Sequence, residues 1–191
     1  IEMKHLILGS GSPRRKELLA GLNLEFTVDK DNTFDEGPEP GVEAHRIPLD
    51  MALGKSHGFH RPLGPDEVLL TADTVVIVDG TVLGKPHSRQ EADRMLHLLS
   101  GRSHEVVTAV VIRDAGHEVS FTDSTRVDFL PLSQEQIDYY IDNYKPFDKA
   151  GAYGVQEWIG YVGISGICGS FYNVMGLPVH KVAAALQDFL R

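Results

Sequence analysis

Apolar residues recur along the chain with two different periods, and the changes of period mark out its elements. Leu6-Ile7-Leu8 is a short continuous apolar run that meets Gly9-Ser10-Gly11-Ser12-Pro13. Beyond it Leu18, Leu19 and Leu22 fall at helical spacing within Arg14 to Leu22, with Gly21 near the end, so strand, glycine-bearing turn and helix follow one another. Ser12 is a good N-cap, and Pro13 suits the first helical position, where its missing N–H costs nothing. Residues 29–40 are rich in Asp, Glu, Gly and Pro and read as a loop. A helix is expected over Glu43 to Lys55, with Pro48 interrupting its early part. Val68 to Val78 is the clearest strand, and Asp79-Gly80 turns it into a short return strand at Thr81-Val82-Leu83. Ser88 with Glu91 forms a capping box that opens a helix through Leu99, closed by Gly101. Val106 to Arg113 and Glu118 to Phe129 alternate as a hairpin around Ala115-Gly116. Ser133 with Gln136 is a second capping box, starting a helix that ends before Pro146. Gly154 to Gly176 reads as loop-rich, and a closing helix carries Val182, Leu186 and Phe189 on one face. Helices and strands mix, with both crossover and hairpin connections, so the class is α/β or α+β. No repeat and no linker suggests independent domains.

The chain has 191 residues, which fits one domain or two closely packed lobes. No stretch approaches the roughly 20 apolar residues that span a membrane. The start shows no charged region followed by a long apolar one, so no secretory signal is predicted. Cys168 is the only cysteine, which precludes an intrachain disulfide and favours a reducing compartment, and a cytoplasmic location is the expectation. The residue itself is expected to be a small buried side chain. Formal net charge is −9, which argues against a general affinity for nucleic acid or anionic lipid. A local cluster of Lys and Arg can still hold a small anion.

Such a cluster stands at Ser10-Gly11-Ser12-Pro13-Arg14-Arg15. A turn from strand into helix presents free backbone N–H groups and the positive end of the helix dipole. Arginine forks suit phosphate because each donates two hydrogen bonds at once. The alternative is a capped helix with two solvated arginines in its first turn. Against it, two positive charges are unfavourable at a helix N-terminus unless an anion arrives. Asp73 is the second candidate, a carboxylate inside a β-branched strand, costly to bury unless paired or bound to a metal. It could hold a divalent cation or deprotonate a water, or it could lie on an exposed face. Lys85, in Gly84-Lys85-Pro86, would supply a point charge near the same strand edge, although alone it reads as a surface lysine. The comparison with a P-loop fails, since the glycines are too close and Pro86 stands where Ser or Thr is required. Asp148 to Gln156 carries small residues around Tyr153 and Gln156 that would let a flat group approach, although a plain turn explains them too. His104-Glu105 lacks the second histidine of a metalloprotease motif, and no Gly-x-Ser-x-Gly elbow is present.

Taken together these stretches resemble the Maf family of nucleoside-triphosphate pyrophosphatases nearly end to end. Ser10 to Arg15 with the following leucine pair is similar to the family's opening motif, and Glu36 matches its acidic position after the first loop. Lys55, preceded by Ala52, resembles its helix lysine. Ala72-Asp73-Thr74-Val75-Val76 resembles its central strand, with Gly84-Lys85-Pro86 at the expected distance. Ser100-Gly101-Arg102 with His104, Val106 and Thr108 follows, then Asp148 to Gln156 and Asn173-Val174-Met175-Gly176-Leu177-Pro178. The resemblance implies an α/β fold like that of inosine-triphosphate pyrophosphatases, an elongated mixed sheet with flanking helices forming two lobes around a cleft, usually as a homodimer. It implies Asp73 as general base, with Arg14, Thr74 and Gln156 selecting the base. Ser10, Ser12, Arg15, Lys55 and Lys85 would line the triphosphate, Glu36 would assist with metal or water, and Mg²⁺ or Mn²⁺ would be the cofactor, touching Glu36 and Asp73. Lys149 to Gln156 looks like the branch acting on dTTP and UTP, whereas the branch preferring 7-methyl-GTP has an acidic residue near the glutamine. The departure is Glu157, where the family commonly has glycine, which adds a negative charge near the implied base pocket. The resemblance further implies a role in limiting non-standard nucleotides, with a link to arrest of cell division. Two rival readings are a nucleotide-binding regulator and a ligand-free scaffold. A pure binder has no need for a carboxylate among phosphates, and a scaffold leaves the Arg14-Arg15 pair unexplained.

Overall fold

The N-terminal part of the chain is organised around β1 (His5–Leu8). In the computed structural model, which describes residues 3–37 and 41–191, β1 pairs in parallel with β2 (Phe26–Val28) on one side and with β3 (Glu67–Val78) on the other. Leu6, Ile7 and Leu8 are at most 1% exposed, as a continuous apolar run covered on both faces must be, and Ile7 packs against Phe59 and Leu69. α1 (Pro13–Ala20) carries the chain from β1 to β2, and α2 (Ile47–His57) carries it back to β3 on the far side of β1. Progression through the sheet therefore reverses at β1. In open parallel sheets ligands bind where the order reverses, outside the carboxyl ends of the strands.

β4 (Thr81–Leu83) returns antiparallel along the end of β3. α3 (Arg89–Leu99) leads to the hairpin of β5 (Ser103–Arg113) and β6 (Glu118–Phe129), followed by α4 (Gln134–Tyr144), α5 (Trp158–Gly163), β7 (Ile164–Cys168), α6 (Phe171–Met175) and α7 (Val179–Phe189). The strands form one seven-stranded mixed sheet in the order β2-β1-β3-β5-β6-β7, with β4 on β3. The expected mixed α/β class is the class observed. By contacts the chain divides into two compact units, Ile1–Asp73 with Thr108–Asp123 and Gly176–Arg191, and Thr74–Val107 with Ser124–Met175. In the first, α2 lays Ala52 against Ala109 and Val111. In the second, α3 and α4 close over β3 to β6 through Leu96, Leu99, Ile137 and Tyr140.

The capping signals act as read. Ser12 accepts from the N–H of Arg15, and Ser133 and Gln136 make a complete reciprocal box. Ser88 caps α3, but Glu91 reaches back to the N–H of His87 rather than to that of Ser88. Pro48 does not interrupt a helix, because α2 begins at Ile47 and proline in the first turn breaks no hydrogen bond. Two expectations are corrected. Gly154 to Gly176 holds α5, β7 and α6 rather than loop, and Gly160 and Gly163 are there for space: a Cβ at Gly160 would stand 1.9 Å from the carbonyl oxygen of Val155, and one at Gly163 2.9 Å from Leu132. Cys168 is exposed, not buried, at the last residue of β7. No helix among the described residues is long and apolar enough to cross a membrane.

One buried polar group in the second unit titrates unusually. His104, at the start of β5, is 3% exposed, stacks on Phe129, and shares a 2.6 Å hydrogen bond with the hydroxyl of Tyr153. Its Nδ1 has no partner among the described residues. Burial pulls its pKa down to about 4 against a small opposing effect of Asp128, so the ring is neutral in the folded chain. Between pH 6.5 and about 4 the unfolded chain takes up a proton that the folded chain refuses, so stability present above pH 6.5 is lost as pH falls through that window. Urea unfolding between pH 7 and 4 is expected to show a loss of roughly 3 kcal/mol attributable to this residue. The slope should flatten in His104→Phe, and an unchanged slope would contradict the assignment.

Candidate active site

The first unit gathers its chemistry at the carboxyl ends of β1, β2 and the parallel-paired stretch of β3. Ser10 and Ser12 follow β1 directly. The hydroxyl oxygen of Ser10 accepts from the N–H of Ser12 at 3.2 Å and from Nη1 of Arg15 at 3.4 Å, while that of Ser12 accepts from the N–H of Arg15 at 3.3 Å. Both hydroxyls are used as acceptors, which leaves their O–H protons to donate to an incoming anion. α1 has no acidic residue in its first turn, so its N-terminal dipole is answered by nothing on its own helix.

Arg14 and Arg15 part company. Arg14 is half-buried in the first turn of α1. Arg15 is 9% exposed and donates from Nε to the carbonyl of Gly176 at 2.9 Å. Burial pulls the Arg15 pKa down, Asp73 and Glu36 support the charge, and Arg14 opposes it. Arg15 is thus a buried tie between the β1–α1 turn and the segment entering α7, as well as a positive charge beneath the turn.

Asp73 follows a buried run of β3, with Leu69, Leu70, Thr71 and Ala72 before it at 0% exposure. Its side chain is 19% exposed, and its Oδ1 lies 3.1 Å from Nζ of Lys55, which also donates to the carbonyl of Ala72 at 3.4 Å. Burial raises the Asp73 pKa, Lys55 and Arg15 lower it, and Glu36 adds a small rise. Lys55 stands in the last turn of α2, itself only 17% exposed, and Thr71 fastens that helix to β3 by donating to the carbonyl of Ala52 at 2.8 Å.

Glu36 reaches the same ammonium, Oε1 to Nζ 3.5 Å, from a loop held by backbone contacts. Asn32 organises that loop: its amide donates to the carbonyl of Lys55 at 2.5 Å, its Oδ1 accepts from the N–H of Phe34 at 2.7 Å, and the N–H of Thr33 donates to the carbonyl of Gly58 at 2.9 Å. Phe34 lies so close over α2 that a Cβ at Gly54 would come within 2.3 Å of its ring. Sequence reasoning missed Asn32, and the signal that could have found it is the Gly54-x-x-x-Gly58 spacing, which bares the end of α2 to the side chains of Phe34 and Asn32. Asp73, Lys55, Glu36, Arg15, Ser10 and Ser12 are therefore assembled in one unit. Among the described residues no group of three or more His, Cys, Asp or Glu could hold a metal by itself. Asp73 and Glu36 are two oxygen donors facing one ammonium, a set that suits a hard divalent cation whose remaining ligands come from elsewhere.

Thr74, Lys85 and Gln156 belong to the second unit. Thr74 is half-buried on β3, and Lys85 is exposed after β4. Gln156 is exposed and lines an open hollow of about 510 Å³ with Val155, Gly160, Tyr161, Ile164 and Phe171. Glu157 accepts from the hydroxyl of Tyr140 at 2.7 Å and stands 3.6 Å from Nζ of Lys149, so its charge is spent within the unit. Because Arg15 is buried and tied while Lys85 is exposed, Arg15→Ala should cost about 2–3 kcal/mol in urea unfolding, and Lys85→Ala under about 0.5 kcal/mol. Equal costs would contradict the structural part of the Arg15 assignment.

A family model described as Maf-like protein matches residues 5–189. The dTTP/UTP pyrophosphatase of Porphyromonas gingivalis is 50% identical over 186 residues, 96% of this chain and 94% of its own. That of Phocaeicola vulgatus is 47% identical over 187 residues, 98% of this chain and 97% of its own. Among solved structures, the Ham1 protein of Staphylococcus aureus matches with a TM-score of 0.53 at 11% identity, covering 97% of this chain and 99% of its own. The HAM1 protein of Coxiella burnetii matches with a TM-score of 0.50 at 13% identity, covering 97% and 100%. The strand order, the serine-arginine turn and the carboxylate on β3 thus stand in a chain that belongs to the Maf-like protein family.

Proposed function

We propose that this protein hydrolyses dTTP and UTP to the nucleoside monophosphate and pyrophosphate, with Asp73 as the general base. The observation that carries the reading is the Asp73–Lys55 pair, buried at the carboxyl end of the parallel strands in the unit that holds the Ser10–Ser12 turn and the N-terminus of α1. Relatives at 47–50% identity bear the name dTTP/UTP pyrophosphatase, which supports the substrate.

In the reaction a water oxygen attacks the α-phosphorus, its proton passes to the Asp73 carboxylate, and the bond from the α-phosphorus to the α,β-bridging oxygen breaks, releasing pyrophosphate. Lys55 favours the ionised carboxylate against the burial that raises the Asp73 pKa, and offsets charge on the phosphates once the proton has passed. The N–H groups of the β1–α1 turn, the Ser10 and Ser12 hydroxyls and Arg15 hold phosphate oxygens, and Lys85 adds a further cation toward the leaving group. Arg14, Thr74 and Gln156 select the base, Gln156 by an amide that both donates and accepts. Glu36 orders the water with Asp73, and the two carboxylates would also hold Mg²⁺ or Mn²⁺ jointly with the substrate's phosphates. Such an ion, when bound, supplies charge neutralisation at the phosphates. We extend the proposal to a cytoplasmic homodimer whose role is to limit non-standard nucleotides, with no affinity for nucleic acid or membrane. The net charge of −9 supports that last part.

Pyrophosphate release from dTTP, UTP, CTP, GTP and 7-methyl-GTP with Mg²⁺ or Mn²⁺ tests the reading. Release should be confined mainly to dTTP and UTP, and should be lost on chelation of the metal. Asp73→Asn should lower kcat by about 10²–10⁴-fold while leaving nucleotide affinity largely intact. Full turnover in Asp73→Asn would exclude Asp73 as the base, and preferential turnover of 7-methyl-GTP would overturn the branch.

A further inference from the structure

We propose that Lys30 is a phosphate-binding residue of this site, reaching over Gly11 to the triphosphate. The inference rests on the pyrophosphatase reading above. Lys30 lies two residues beyond β2, and Gly11 three beyond β1, so both stand outside the carboxyl ends of adjacent parallel strands. The lysine stem crosses the serine-glycine turn closely: a Cβ at Gly11 would stand 3.1 Å from Cδ and 3.8 Å from Nζ of Lys30. Gly11 does not have a φ in the left-handed region, so the backbone angle does not demand a glycine there. What the missing side chain provides is a groove, and the Lys30 stem occupies it.

The surrounding charges would ordinarily claim this ammonium. Lys30 sits between Asp29 and Asp31, yet both face His60 instead. Asp29 Oδ2 lies 2.8 Å from Nε2 of that ring, and Asp31 Oδ2 lies 4.0 Å from its Nδ1. Hydrogen bonding to His60 and to the N–H of Asp31 lowers the Asp29 pKa, so that carboxylate is already engaged. Lys30 makes no ion pair or hydrogen bond among the described residues. Lys55, by contrast, is committed to Asp73 and Glu36, and Arg15 to Gly176 and Ser10. A cation packed against the Ser10–Ser12 turn, with no carboxylate of its own, is placed to neutralise phosphate charge beyond what Lys55 and Arg15 offset.

The test is steady-state UTP hydrolysis at low ionic strength with Mg²⁺, together with inhibition by free pyrophosphate, for wild type, Lys30→Gln and Lys30→Arg. Lys30→Gln should raise KM and the inhibition constant of pyrophosphate by the same factor, about five- to tenfold, with kcat changed less than about twofold. Lys30→Arg should stay within about twofold of wild type on all three readouts. A lysine merely resting on the surface would move none of them, and unchanged KM and inhibition constant in Lys30→Gln would overturn the inference while leaving the pyrophosphatase reading intact. If wild type hydrolyses no nucleoside triphosphate, that reading falls, and calorimetric binding of magnesium pyrophosphate decides the inference: weaker binding by Lys30→Gln upholds it, and equal binding overturns it.

Discussion

A carboxylate in the middle of a buried β-strand is stable only if something offsets the loss of its hydration, and the first unit is arranged around that requirement at Asp73. Lys55 supplies the opposite charge at 3.1 Å, and Arg15 adds a second positive field from beneath the β1–α1 turn. Each of these cations has to be held in turn. Thr71 fixes α2 to β3, Asn32 fixes the carbonyl of Lys55, and Gly176 accepts from Arg15. The carboxylate thus recruits contacts from β3, α2, the loop after β2 and the entry to α7. A group so costly to bury is not retained by packing alone, since an apolar residue of similar size would suit the strand better.

The same constraint bears on the anion-binding role proposed for this site. Lys55 answers both Asp73 and Glu36, so its charge is shared between two carboxylates. In the proposed reaction the turn after β1 attracts phosphate with backbone N–H groups, hydroxyl protons and the helix dipole. An overall net charge of −9 is no obstacle, because attraction is set by groups within a few ångströms rather than by the molecular total. In the second unit, Glu157 looks hostile to a nucleotide on paper, yet it is absorbed by Tyr140 and Lys149.

Much of this was legible in the sequence where a local rule applied. The Ser12 cap, the Pro13 start and two arginines in a first turn without acids follow from helix-end physics. Asp73 stands out because a charge breaks an otherwise β-branched run. Lys55 and Glu36 were found only through family resemblance, since no periodicity links two side chains brought together by a loop clamped onto α2. Arg15 looked like a solvated phosphate ligand, and its burial depends on the carbonyl of Gly176, 161 residues away. The loop-rich reading of Gly154 to Gly176 failed because glycine has two uses: at Gly160 and Gly163 it makes room for Val155 and Leu132 inside regular structure.

Water activated at Asp73 should attack the α-phosphorus and no other. Hydrolysis of UTP in ¹⁸O-labelled water, followed by mass spectrometry of the products, tests it most directly. Attack at the α-phosphorus places one labelled oxygen in the uridine monophosphate and none in the pyrophosphate. Label in the pyrophosphate, or release of orthophosphate in its place, would mean that water attacks a different phosphorus and that the site has been read in the wrong register.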